Sequence, residues 1–158
     1  MPLLHSLPEK VSKEVNITMG YPLRQTTAYS FLERLIELQK NTRHANGKTS
    51  FYHVDVTCIL SHPYITEAFG DCVRDLQKKI IEGRYIRIEK EFFEEDKGLD
   101  VIFNPTNDYK ELSAYLLNVL DMLAGHCIEA TDDEEENSEN NSLKLSYISL
   151  IADNITKL

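Results

Sequence analysis

The spacing of the apolar residues is the feature that most constrains the fold of this chain. They recur every three or four positions in four long segments. This spacing places apolar side chains along one side of an α-helix. The stripes are Tyr29, Leu32, Leu35, Ile36 and Leu38 or Gln39; Phe69, Val73, Leu76, Ile80; Leu112, Tyr115, Leu116, Val119, Leu120, Leu123; and Leu145, Ile148, Ala152, Ile155. A shorter fifth helix is indicated by Tyr52, Val56, Ile59 and Leu60. The chain is predicted to be mainly α, with about five helices and one or two short β segments.

Cap and stop residues give approximate ends for these helices. The expected bounds are Thr26 or Thr27 to about Thr42, Thr49 or Ser50 to His62-Pro63, about Thr66 to Glu82, the turn 104–107 to Gly125, and Ser142 onward. The polar stretch 41–50 is predicted to be a loop. The last stripe reaches Leu158 without a stop signal, which is typical of a piece cut from a longer protein.

Short β segments are indicated at two places and left open at a third. Val15–Met19 alternates and ends at Gly20, and Tyr85–Ile88 alternates as well, as expected of strands. Between Tyr85–Ile88 and Leu99, the segment around Phe92 and Phe93 favours a single helical turn. Leu99–Phe103 is short and apolar, so it fits either a strand or a buried helix.

One segment carries most of the excess negative charge. The net charge is −9, and seven acids without a base lie between Glu129 and Glu139. The rest of the chain is therefore nearly neutral. Such a run is typical of a solvated loop, predicted here at 129–141. The alternative is a phosphate mimic or a plug for a basic partner.

The motifs that look like catalytic or cofactor-binding signatures are incomplete. Residues 47–49 (Gly-Lys-Thr) match the end of a phosphate loop, but Thr42 stands where that loop needs its first glycine. Residues 95–97 and 108–110 match half of a metal-nuclease signature, without a further acid on an adjacent strand. The five histidines form no H-x-x-x-H pair. We therefore expect no catalytic, cofactor-binding or metal-ligating residue in this chain.

One stretch is locally basic. From Arg74 to Lys90, six bases accompany three acids, with Tyr85 among them. Such a stretch fits contact with nucleic-acid phosphates, made without base specificity. The candidate contact residues are Arg74, Lys78, Lys79, Arg84 and Arg87. The alternative is a solvated helix face, and a net charge of −9 argues against tight DNA binding by this chain alone.

The sequence also favours a cytoplasmic protein. The segment from Met1 to Lys10 lacks the basic start and apolar run of a signal peptide. An odd count of three cysteines, with no C-x-x-C pair, fits a reducing compartment. The longest apolar runs are only a few residues, too short to cross a membrane.

The order of several segments resembles a known family. They are Pro2–Pro8, Val15–Leu23, Thr26–Gln39, Phe51–Val56 and Ile59–Ile65. Together they look like the helicase-like region of AddB-type subunits, from bacterial helicase–nucleases that process DNA ends. In particular, they resemble subunits with a PD-(D/E)xK nuclease at the C-terminus. UvrD-like superfamily 1 helicases show the same order more loosely. The resemblance covers residues 2–65 and is weaker beyond them.

This resemblance implies a two-part organisation. Residues 1–25 would be a strand and turn from the edge of a 2A-like domain. Residues 26–158 would be a helical 2B-like domain with an acidic loop at 129–141. The strand Val15–Met19 would lose its native sheet on excision, so self-association of the excised fragment through that edge is expected.

The same resemblance implies a non-catalytic scaffold of a DNA end-processing and recombinational repair helicase–nuclease, which positions DNA and neighbouring domains. The implied partners are DNA, other domains of the parent protein and an AddA-type helicase subunit, with no membrane. The parent resembles an ATP-dependent DNA helicase or exonuclease subunit, and its ATP and Mg²⁺ sites would lie outside these residues. Two alternatives stay open from the residues alone: a protein–protein interaction module without DNA contact, and a small hydrolase whose site is assembled from distant positions.

Overall fold

The computed structural model describes residues 22–133 and 138–157, and this part of the chain is mostly helical. It contains six α-helices, two 3-10 helices and a three-stranded sheet. In chain order these are a 3-10 helix (Leu23–Gln25), α1 (Thr27–Asn41), β1 (Arg43–Ala45), β2 (Lys48–Tyr52), α2 (His53–Leu60), α3 (Pro63–Gly83), β3 (Arg87–Glu89), a 3-10 helix (Lys90–Phe93), α4 (Lys97–Ile102), α5 (Tyr109–Asp133) and α6 (Ser138–Thr156). The mainly α prediction is confirmed. The predicted strand Val15–Met19 lies outside the described residues.

The first helix has its predicted bounds and cap, but its buried side differs from the predicted stripe, of which Tyr29, Leu32 and Ile36 are only partly buried. Thr26 caps it, because its hydroxyl oxygen accepts a hydrogen bond from the backbone N–H of Tyr29 at 3.2 Å. The buried side chains of α1 are Ala28, Phe31, Leu35 and Leu38. They recur at helical spacing, so α1 presents one continuous apolar side to the core.

The stretch 41–50 is a β-hairpin, so the prediction of a loop was wrong. β1 pairs antiparallel with β2, and Ala45 lies opposite Lys48. Asn46 and Gly47 connect the strands with φ values of 53° and 75°. Positive φ at both positions is the backbone that an Asn-Gly hairpin turn adopts. Because β2 continues through Tyr52, α2 starts at His53, and Thr49 and Ser50 are not its caps.

The strand predicted at Tyr85–Ile88 is present two residues later, as β3. It pairs antiparallel with β2, placing Ile88 opposite Phe51 and Arg87 opposite Tyr52. Phe51 and Ile88 are fully buried, whereas Tyr52 is exposed. The sheet in the order β1-β2-β3 therefore has one face in the core and one face toward solvent.

The third helix begins three residues earlier than predicted. His62 caps it with its ring Nδ1, and Pro63 occupies the first turn, where its missing N–H is no loss. Gly70 interrupts α3 with φ 43° and ψ −111°, a backbone conformation that residues with a Cβ atom avoid. The buried side chains after this break are Val73, Leu76 and Ile80.

An aromatic cluster fills the core beneath the sheet. The rings of Phe93 and Phe103 are stacked with centroids 3.7 Å apart, and Phe51 meets both with its ring tilted steeply. Leu99–Phe103, left open between strand and helix, belongs mostly to α4. The single helical turn expected around Phe92 and Phe93 is the 3-10 helix Lys90–Phe93.

The last two helices pack against each other, and α6 also contacts α1. The prediction that Gly125 ends α5 was wrong, because α5 continues to Asp133. A glycine inside a helix costs only about 1 kcal/mol, so it does not by itself end the helix. The predicted acidic loop 129–141 is accordingly helical up to 133 and from 138 onward. Ser142 lies inside α6 and is not its cap.

Candidate docking surface

Most of the exposed large apolar side chains in the described part of the chain lie on two short segments, Tyr52–Val54 and Ile81–Ile86. Five of the seven such side chains in the described part lie on these segments. The most exposed are Ile81 at 71% and Ile86 at 72%. We call the five residues the apolar patch: Tyr52, Val54, Ile81, Tyr85 and Ile86.

The end of α3 explains why Ile81 points outward. Val73, Leu76 and Ile80 face the core, and each further residue turns by about 100° around a helix. Ile81 therefore leaves the apolar stripe although it directly follows Ile80. Arg84 then takes a left-handed conformation with φ 48° and donates its N–H to the carbonyl of Ile81 at 3.2 Å. This cap turns the chain toward β3, with Tyr85 and Ile86 on the connecting turn.

A backbone contact joins the two segments of the patch. The N–H of His53 donates to the carbonyl oxygen of Ile86 at 3.2 Å. His53 stands between Tyr52 and Val54 in the chain, and Tyr52 lies opposite Arg87 in the sheet. This bond joins the segments Tyr52–Val54 and Ile81–Ile86 across 33 positions of the chain.

Ring contacts restrain the two tyrosines of the patch. The ring of Tyr52 makes an edge contact with that of His53, with centroids 4.7 Å apart. The ring of Tyr85 makes a similar contact with that of Phe92, with centroids 5.2 Å apart. A Cβ atom at Gly83 would overlap the ring of Tyr85, so the glycine leaves room for that ring. The aromatic members are therefore partly fixed, and the two isoleucines present their side chains to solvent.

The structure places the five predicted nucleic-acid contact residues in different settings. Arg74 pairs with Asp71 at 2.8 Å on the exposed side of α3. Arg87 donates from Nη1 to the carbonyl oxygens of Ser50 at 3.3 Å and Asn41 at 3.5 Å. This arginine therefore ties β3 to β2 and to the end of α1.

The other three predicted residues are exposed. Lys78, Lys79 and Arg84 form no ion pair in the part of the chain that the structure describes. Lys78 stands three residues before Ile81, so both lie on the same side of α3. Arg84 is the cap beside the patch. Lys79 lies on a different side of the helix from Ile81.

Clefts also open on the surface of the described residues. One, of about 490 Å³, lies where α1 and α3 begin and is lined in part by Thr27, Tyr64 and Lys144. Helix starts attract anions, but the ammonium of Lys144 already pairs with Glu67. Another cleft, of about 530 Å³, runs between α5 and α6 and is mainly apolar.

Two buried titratable side chains, those of His62 and Tyr115, make structural contacts in the core. Burial lowers the pKa of His62 to about 4, so this cap residue is neutral at pH 7. The centroid of its ring lies 4.9 Å from that of Phe31 and 5.4 Å from that of Tyr64. Burial also raises the pKa of Tyr115, whose hydroxyl donates to the carbonyl of Ile102 at 2.5 Å.

Two further properties concern the described residues only. Within them, no three histidine, cysteine, aspartate or glutamate side chains come close enough to hold a metal ion. None of the helices found there is both long and apolar enough to cross a membrane.

One member of the patch, Ile81, could have been predicted from the sequence. Ile81 is out of phase with Phe69, Val73, Leu76 and Ile80, so a helix over this segment must expose it. Ile86 carried no such signal, because the alternation Ile86-Arg87-Ile88 places both isoleucines on one face of a strand. Ile86 is exposed because it precedes β3 instead of belonging to it.

The chain matches no family model, no curated protein and no solved structure. The resemblance to AddB-type subunits therefore stays a prediction.

Proposed function

We propose that this chain is a docking domain, which binds a protein surface through the apolar patch. The observation that carries the proposal is the exposure of Ile81 and Ile86 at 71% and 72%, on a segment whose backbone is bonded to the one that carries Tyr52 and Val54. Contiguous exposed apolar surface marks interaction sites on soluble domains, whereas isolated exposed residues do not.

The energetics favour binding at this place. Burying a fully exposed isoleucine removes apolar area worth about 1.5–3 kcal/mol. Tyrosines are enriched among the residues that dominate binding energy. Because Tyr52 and Tyr85 are restrained by ring contacts, a partner loses little of its binding energy in ordering them.

This proposal agrees with the scaffold role implied by the resemblance. A scaffold of a helicase–nuclease holds neighbouring domains or a partner subunit, and an apolar surface is what such contacts require. The proposal does not depend on the resemblance, since the patch also serves an interaction module of any other assembly.

A library of random 16-residue peptides on phage tests the proposal. Peptides are selected on the full chain and then compared on two double variants. Ile81→Asp with Ile86→Asp removes the patch, and Leu143→Asp with Leu150→Asp changes two exposed leucines on α6 (54% and 48%). We expect selected peptides to lose binding to the first variant and to keep it on the second. Equal binding to both would contradict the docking function.

A second candidate function is the positioning of DNA. It is favoured by the exposure of Lys78, Lys79 and Arg84, which form no ion pair among the described residues. Phosphate contact by three bases predicts binding that weakens steeply with salt. Acids on the same helix oppose it, because Asp75 and Glu82 stand among these bases.

Fluorescence anisotropy with labelled single-stranded and duplex DNA, over a series of salt concentrations, tests this second function. Changing Lys78 and Lys79 to Glu should abolish binding. The charge-matched control changes Lys97 and Lys110, which lie outside the basic stretch, to Glu. Absence of binding at low salt, or equal losses in both variants, would exclude specific contact through Lys78 and Lys79.

A further inference from the structure

The charge around the apolar patch differs from that of the whole chain. From Lys78 to Ile88 there are four bases and one acid, Glu82, in a chain whose net charge is −9. This positive segment contains Ile81, Tyr85 and Ile86. A partner that covers the patch therefore meets positive charge at its rim.

The four bases of this segment form no ion pair in the part of the chain that the structure describes. Lys78, Lys79 and Arg84 have no ion pair in the described structure, and Arg87 donates only to neutral carbonyl oxygens. Other nearby bases are neutralised: Lys48 pairs with Glu89 at 2.6 Å, and Lys90 lies 3.5 Å from Asp100. One acid also adjoins the patch: Asp55 follows Val54 in the chain, and its carboxylate accepts a hydrogen bond from the side-chain amide of Asn41 at 2.9 Å.

We propose that the occupant of the patch is an acidic segment of a partner protein, one that combines large apolar side chains with carboxylates. This inference rests on the proposed docking function and adds the chemistry of the partner. The apolar side chains cover Ile81 and Ile86, and the carboxylates reach Lys78, Arg84 and Arg87. Arginine matches a carboxylate with two parallel hydrogen bonds, and rim charges of opposite sign speed association and select the partner.

The patch fits a protein segment better than single-stranded nucleic acid. Nucleic-acid surfaces of this kind stack bases on exposed aromatic rings. Here the two most exposed members are isoleucines, at 71% and 72%. The rings of Tyr52 and Tyr85 already make edge contacts with His53 and Phe92.

The composition and salt response of the selected peptides test the inference. We expect peptides that need the patch to be rich in Asp and Glu as well as in apolar residues. Their affinity, followed by fluorescence polarisation, should fall by about tenfold in Lys78→Glu with Arg84→Glu and should weaken with salt. Lys97→Glu with Lys110→Glu carries the same charge change elsewhere and should leave affinity unchanged.

Four other outcomes would contradict the acidic partner or the docking function. Peptides that need the patch but are neutral or basic overturn the acidic partner and leave the docking function standing. Absence of any peptide that needs the patch overturns the docking function itself. A 20-nucleotide oligothymidine is added as competitor: if it displaces the bound peptide, and if its own binding is lost in Ile81→Asp with Ile86→Asp, the patch is assigned to nucleic acid. Self-association in sedimentation equilibrium that is abolished by Ile81→Asp with Ile86→Asp would assign it to a second copy of this chain.

Discussion

The carbonyl oxygen of Ile86 accepts the backbone N–H of His53 at 3.2 Å, and the ring Nδ1 of His53 lies 3.2 Å from the same oxygen. A histidine protonated at Nδ1 satisfies both contacts. This link fixes the turn between α3 and β3 against the start of α2. The apolar patch therefore depends on tertiary structure, although each of its residues lies in a short local segment.

Ile86 and Ile88 should respond in opposite ways to the same substitution. Ile86 is 72% exposed and Ile88 is fully buried. Ile88→Ala removes core packing and should lower the free energy of unfolding by about 2–5 kcal/mol. Ile86→Ala should change it by less than about 0.5 kcal/mol. Urea denaturation measures both, and a large loss for Ile86→Ala would mean that this side chain packs in the core.

Gly70 and Gly125 form a second matched pair. Gly70 has φ 43° and ψ −111° within α3, so Gly70→Ala should destabilise the fold by about 1–3 kcal/mol through backbone strain. A Cβ atom at Gly125 meets no atom within 4 Å. Gly125→Ala should therefore stabilise α5 by about 0.5–1 kcal/mol. Thermal unfolding followed by circular dichroism gives both signs, and a stable Gly70→Ala variant would show that α3 runs without the break.

Gln39 should matter more than a surface glutamine. Its amide donates to the carbonyl of Asn104 at 2.9 Å, and its oxygen accepts from the N–H and the hydroxyl of Thr106 at 3.0 and 3.2 Å. Gln39→Leu leaves these loop groups without partners and should cost about 1–3 kcal/mol. Gln77→Leu is the control, because Gln77 makes one exposed bond to Ser61. Equal losses of unfolding free energy for the two variants in urea denaturation would contradict this role of Gln39.

The stability of the fold should fall in mild acid because of His62. Burial lowers its pKa from 6.5 to about 4. Below pH 6.5, His62 is therefore protonated in the unfolded chain while it stays neutral in the folded chain. The free energy of unfolding should therefore decrease as the pH falls from 6.5 to about 4, by about 1–2 kcal/mol after allowance for solvent screening.

His62→Asn isolates this contribution. Asparagine can cap α3 but does not titrate. The slope of stability against pH over this range should become shallower in the variant. An unchanged slope would assign the acid sensitivity to other groups.

The fold was predictable where a single helix faces the core. Thr26 and the helical spacing of the apolar residues predicted α1 and its cap, and the structure has both, although the predicted stripe missed the buried Ala28 and Phe31. The hairpin was missed because its strands are short and mostly exposed, so Arg43–Ala45 shows no apolar alternation. The only local signal was Asn46-Gly47, whose turn conformation requires positive φ.

The candidate site was predictable only in part, for a similar reason. The basic stretch was visible as composition, but the pairing of Arg74 with Asp71 and the anchoring of Arg87 on two carbonyls depend on the fold. The patch requires the approach of His53 to Ile86, a contact across 33 positions. Contact with DNA and the place of this chain in a helicase–nuclease remain predictions.

The most direct test of the docking account is to map where a selected peptide binds. Backbone amide shifts of the ¹⁵N-labelled chain would be followed by NMR during titration with the peptide. The account predicts the largest shifts at 52–55 and 81–87. Shifts concentrated instead in the cleft between α5 and α6, around Leu117 and Ala152, would contradict it.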